Sequence, residues 1–129
     1  MKFAKTIRFD KSDLNIFPLA SEEGELAVVG TFNFYNLKQQ DLNGKIKQAF
    51  SNGFMGCNTF GYSTFVSLVN ISKKELQQLK TNLGKFLIDN FGAPSQEMAE
   101  EAANEEINFM LDLCKNHEIG SLLSLSRTW

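Results

Sequence analysis

Glu106 is the residue whose neighbours point most directly to chemistry. At about 100° per residue, a helix through residues 95–117 gathers Ala99, Ala102, Ala103, Ile107, Phe109, Met110, Leu113 and Cys114 on one side. Glu106 falls inside that arc, while the other acids of the segment fall outside it or on its margins. A carboxylate on a core face must be paired or have its pKa raised, because a buried charge costs several kcal/mol. That environment suits a general acid/base or a ligand-reading carboxylate. It also suits a structural carboxylate bonded to Tyr62, to a Ser or Thr hydroxyl, or to backbone N–H groups.

The passage 53–61, Gly-Phe-Met-Gly-Cys-Asn-Thr-Phe-Gly, carries three glycines. A phosphate cradle needs a strand, a glycine loop and then a helix N-terminus, whose N–H groups hold the anion. Here the passage follows a helical pattern and enters a strand pattern, and no Lys-Ser/Thr pair closes it. It reads as an exposed turn whose Phe54, Met55 and Phe60 either tuck under it or face a partner. Phe54, Met55, Phe60 and Tyr62 are therefore the candidate partner- or ligand-binding residues.

Cys114 and His117 stand at i, i+3. One Cys and one His do not make a zinc site, and a nucleophilic dyad also needs an orienting group and an oxyanion hole. His117 near a helix C-terminus interacts favourably with the helix dipole. No metal site, no cofactor and no G-x-S-x-G elbow is expected. Phe32, Phe34, Phe60 and Tyr62 could stack nucleic-acid bases, but basic residues near them are sparse.

Composition supports these exclusions. The chain has 129 residues, 13 basic and 15 acidic, for a net charge of −2. Nothing in that balance favours binding to a phosphate backbone, so no nucleic-acid partner is expected. The two cysteines form no C-x-x-C and read as core residues of a reducing compartment. Lys5 and Arg8 interrupt any apolar leader, and no apolar run reaches membrane length, so a cytoplasmic protein without a membrane partner is expected. Phe is abundant, with 12 against 2 Tyr and 1 Trp. It must fill a core, a groove or a subunit contact.

The elements that position these residues follow from periodicity. Phe3, Ile7 and Phe9 alternate with Lys2, Thr6 and Arg8, predicting a first strand. Leu26, Val28, Phe32 and Phe34 predict a second strand, with Gly30 marking a bulge or a close approach. Leu42, Ile46, Ala49 and Phe50 predict a short helix, N-capped by Asp41 and stopped at Asn52-Gly53. A β-rich run spans 62–71. Ser72-Lys73-Lys74-Glu75 is a capping box, with Ile71 and Leu76 as its hydrophobic staple. Leu76, Leu79, Leu83, Phe86 and Leu87 make the stripe of a second helix, closed by Gly92 and Pro94. The third helix runs from about Ser95 to His117, and residues 121–129 read as a last strand. The order β-β-α-β-α-α-β predicts one α+β domain over 1–129. Its antiparallel or mixed sheet has about four to five strands, with three helices mainly on one face. Lys2, Lys5, Arg8 and Lys11 oppose the acidic third helix, which favours self-association, a dimer first.

The chain also resembles a small bacterial family, a domain of unknown function of about this length. The resemblance rests on Gly24-Glu25-Leu26-Ala27-Val28-Val29-Gly30, on Ala49-Phe50-Ser51-Asn52-Gly53-Phe54-Met55-Gly56, on Phe60-Gly61-Tyr62-Ser63-Thr64-Phe65-Val66, and on Phe91-Gly92-Ala93-Pro94. It supplies no activity and no functional residues. It implies an accessory or assembly role beside a molybdoenzyme-type redox system. Two functions are therefore expected in competition. One is a non-catalytic accessory or interaction protein. The other is a small-molecule binder or minimal acid/base enzyme using Glu106 in an apolar pocket.

Overall fold

In the computed structural model, which describes residues 1–9 and 11–128, the chain forms two three-stranded antiparallel sheets and three long helices. The first sheet has the order β1-β5-β6, with β1 at Lys2–Ile7, β5 at Phe65–Asn70 and β6 at Leu122–Ser124. The second has the order β2-β3-β4, with β2 at Ala27–Val28, β3 at Phe54–Gly56 and β4 at Tyr62–Ser63. A bridge between Lys5 and Leu26 joins the two sheets, and the Thr6 N–H donates to the Glu25 carbonyl at 2.8 Å. The helices are α1 (Ser12–Ile16), α2 (Gly44–Asn52), α3 (Lys73–Phe91) and α4 (Gln96–Cys114).

The α+β class and the order of the main elements agree with the sequence reading. Six short strands in two sheets replace a single sheet of four to five, and α1 is an addition. The reason lies at Gly30. Its φ of 78° turns the backbone left-handed, and a Cβ there would sit 2.7 Å from the Met55 Cβ. The close approach expected of this glycine is present. The turn also ends β2, so Thr31–Phe34 coil into a 3₁₀ helix instead of extending the strand.

The first strand stops at Ile7. Thr6 faces inward, donating to the Glu22 carbonyl, and Phe9 lies outside, 62% exposed. Asn43, not Asp41, precedes α2, and Asp41 closes a 3₁₀ turn by accepting from the Lys38 N–H. The helix starts that carry capping signals form as expected. Ser72 and Glu75 exchange hydrogen bonds of 3.1 Å in both directions, and Ser95 accepts from the Met98 N–H. Leu79, Leu83 and Leu87 of α3 are buried, and Gly92 ends that helix. β6 pairs with β5, so the late strand lands on the middle of the chain rather than beside β1. Trp129, counted in the expected last strand, lies outside the described residues.

Six of the twelve phenylalanines are buried: Phe3, Phe17, Phe32, Phe34, Phe50 and Phe54. Burying such a side chain contributes roughly 1.5–3 kcal/mol, so these residues dominate the core. No helix among the described residues is long and apolar enough to cross a membrane.

Candidate functional site

Glu25 organises the part of the surface that has the most to offer a ligand. Its backbone lies just ahead of β2, and its side chain is 3% exposed. Oε1 accepts from the N–H groups of Asn58 at 2.8 Å and Thr59 at 2.7 Å. Oε2 accepts from the Thr59 hydroxyl at 2.7 Å and the Glu22 N–H at 2.6 Å. Four donors are what a buried carboxylate needs in place of water. They fix loop 57–61 from beneath. The Thr59 hydroxyl accepts in turn from the Gly61 N–H, and Gly56 N–H donates to the Gly61 carbonyl at 2.9 Å. Gly56 is required by the same packing, since a Cβ would stand 2.7 Å from Glu25 Oε1.

At the tip of this loop Phe60 has a φ of 61°, an outlier for a bulky side chain. Its ring stacks on Phe86 of α3, with centroids 4.0 Å apart and planes 11° from parallel. Phe91 lies edge-on to Phe32 beside them. Strained backbone held by surrounding structure concentrates at binding and catalytic sites.

Two clefts open between the loop and α3. Asn58 lines both, and Asn82 bridges them by donating to Asn58 Oδ1 at 3.4 Å. Gln78 donates to Asn82 Oδ1 at 2.9 Å, extending the row of amides along the helix. One cleft, about 230 Å³, runs toward Lys5 and Glu75, which pair at 4.0 Å. The other, about 320 Å³, runs past Phe60 and Phe86 to Lys85 and Asp89. Cys57 lies at the base of both. Burial pushes its thiol well above the usual range, and the carboxylates of Glu25 and Glu106 push it further. The Cys57 side chain is therefore a protonated thiol, unsuited to nucleophilic attack or metal ligation.

The structure redistributes the residues singled out from sequence. Phe54, Met55 and Tyr62 are 2%, 0% and 6% exposed. They do not form the surface patch expected of an exposed turn. Residues 54–56 make β3, the middle strand of its sheet, so the passage folds into the core before the loop emerges at 57. Phe60 alone of the four remains at the surface edge, half-buried.

Glu106 is half-buried at the shoulder of α4 rather than in its core stripe, which consists of Ala99, Ala103, Ile107, Met110 and Cys114. Burial raises its pKa, opposed by Arg127 and assisted by Glu105. The Tyr62 hydroxyl, a partner expected for it, accepts from the Asn33 amide instead. Cys114 is fully buried and His117 is exposed beyond the end of α4, its carbonyl accepting from Lys2 Nζ at 2.7 Å. Lys2, Lys5 and Arg8 are all engaged within the chain. Among the described residues no three His, Cys, Asp or Glu side chains converge as metal ligands would.

Two organising residues escaped the sequence reading. Glu25 was not among the candidate residues. Its one signal was a glycine-rich passage full of backbone donors that needed an acceptor. The other is Arg127, whose five N–H groups all find acceptors. Nε donates to Phe50 O at 2.5 Å, Nη1 to Val29 O and the Thr31 hydroxyl, and Nη2 to Ala49 O and Gly53 O. Its cation lies over the rings of Phe34 and Phe50 at the C-terminal end of α2, where a positive charge suits the helix dipole. Burial lowers its pKa to about 10, so it stays charged at neutral pH.

No curated protein and no solved structure matches the chain. A family model does, over residues 1–129, and the chain belongs to that family, described as a family of unknown function (DUF6505).

Proposed function

We propose that this protein is a non-catalytic accessory protein that binds its target in the clefts between loop 57–61 and α3. The observation that carries the reading is the anchoring of that loop by Glu25. A buried carboxylate with four donors holds a strained aromatic tip beside a row of side-chain amides. Such preorganisation lowers the ordering cost of binding. The burial-raised thiols of Cys57 and Cys114 also argue for recognition over nucleophilic chemistry.

The setting belongs to the same proposal. The protein works in the cytoplasm, as its lone cysteines and lack of a long apolar run suggest, in support of a molybdoenzyme-type redox system, which the family resemblance implies. Self-association, a dimer first, is supported by β6, an edge strand of its sheet, and by Leu122 on it, 49% exposed.

The test is recovery of the tagged chain from its native cytoplasm, with mass spectrometry of what accompanies it. A stoichiometric partner that is lost from Gln78→Lys/Asn82→Lys, with the fold retained by circular dichroism, supports the reading. Recovery of the same partner with that variant, or of the chain alone, overturns it.

A further inference from the structure

Away from the clefts, α4 carries a second apolar stripe that the core does not use. At about 100° per residue, Met98, Ala102, Phe109 and Leu113 fall within an arc of about 60°. All four are exposed, with Met98 at 54%, Phe109 at 56% and Leu113 at 39%. The core stripe of the same helix, from Ala99 to Cys114, lies to one side of this arc. The sequence alone merged the two stripes into one. From residue 98 to residue 113 the exposed stripe is about 22 Å long at 1.5 Å per residue. An apolar row of that length on an exposed helix face marks an interaction surface.

Its borders are acidic. Glu97, Glu101, Glu105 and Asp112 follow one side of the stripe, and Glu106 stands on the other, between stripe and core. There is no Lys or Arg within α4, and Lys115 just beyond it pairs with Asp112 at 3.3 Å. Glu106 is half-buried and feels the charge of Arg127, whose five N–H groups are all given to other acceptors, and no described residue donates a hydrogen bond to it. Packing α4 against α4 of a second copy would set these acidic borders against each other, which is repulsive. A cationic partner meets both features at once.

We infer that the outer face of α4 is the docking surface for a basic amphipathic helix of another protein, whose apolar side covers Phe109 and its neighbours and whose Lys or Arg pairs with Glu106. Helix-on-helix recognition of this kind reads apolar anchors at helical spacing and takes its orientation from flanking charge.

The experiment is calorimetric titration of the full chain with a short Leu/Lys amphipathic helical peptide. A composition-matched peptide with scrambled order and a Leu/Glu counterpart serve as comparisons. The Leu/Lys peptide is expected to bind, more weakly as salt rises, and at least about tenfold better than the scrambled peptide. Phe109→Ser is expected to weaken binding about tenfold, the loss typical of truncating an aromatic anchor. Glu106→Gln should also weaken it, with the fold intact by circular dichroism. Met98→Ser provides the same readout if Phe109→Ser proves poorly folded. Equal binding of the ordered and scrambled peptides, wild-type affinity in Met98→Ser or Phe109→Ser, or binding of the Leu/Glu peptide overturns the inference. Self-association of the chain that depends on Phe109 overturns it as well.

Discussion

Glu25 holds Thr59 by two hydrogen bonds, one to its backbone N–H and one to its hydroxyl, both 2.7 Å long, across 34 residues of sequence. That pair of bonds turns a glycine-rich stretch into a fixed loop. That loop lines both clefts.

Glu25→Ala is expected to destabilise the protein by about 3 kcal/mol, because it removes the buried acceptor of four hydrogen bonds and leaves a gap beneath the loop. Glu25→Gln keeps one acceptor oxygen, so roughly half that loss is expected. Urea unfolding of the two variants checks the ranking. Equal stability of Glu25→Ala and the wild type would show that the loop is not held this way.

Arg127 ties the tail that follows β6 to the end of α2. Its planar fork reaches four backbone carbonyls and one hydroxyl, which a lysine cannot imitate. Arg127→Lys is expected to lower stability by about 2 kcal/mol, since the charge is kept but most of the bonds are lost. Limited proteolysis should then clip the chain after β6 faster than in the wild type, with α2 the next element to loosen.

Glu106 supplies a pH-dependent prediction. Its folded-state pKa is raised above the ordinary 4.5, with burial as the main cause, Arg127 opposing and Glu105 assisting. The folded state therefore favours the protonated carboxyl. That contribution to stability is complete below 4.5 and is lost as pH rises through the elevated value. Glu106→Gln escapes the loss. It should raise the Tm at neutral pH and match the wild type in acid. Combined with weaker peptide binding, this outcome would identify a residue that lowers stability in exchange for recognition. Thermal unfolding followed across the acid range provides the check.

Cys57 and Cys114 are both buried, and burial raises both thiols. A disulfide-exchange reagent should leave both unmodified in the native protein at neutral pH and modify both in denaturant. Rapid labelling of native Cys57 would contradict its place beneath loop 57–61.

Local signals were legible in the sequence where the physics is local. The capping box at Ser72 and Glu75 and the leucine row of α3 depend on neighbours within a few turns, and they fold as read. The N-cap at Ser95 does the same for α4. Gly30 announced a close approach, and Met55 supplies it. The aromatic excess announced a phenylalanine core.

What the tertiary structure decided were the relationships between distant segments. Phe54 and Met55 read as part of an exposed turn, because periodicity over three residues cannot tell which face is covered. Pairing with β2 and β4 covers both. Wheel arithmetic placed Glu106 in one broad apolar arc, and only packing split that arc into a core stripe and an exposed one. Glu25 and Arg127 are charged residues in unremarkable local sequence. Their roles depend on acceptors and donors brought together from 22–59 and from 29–53, which no local pattern encodes. The sequence by itself determined the α+β class and the capped starts of α3 and α4, because these rest on composition and on neighbours within a turn. Long-range pairing alone determined which carboxylate anchors a loop, which stands between the two stripes of α4, and which phenylalanine stacks at the loop's surface edge, because each depends on segments far apart in sequence.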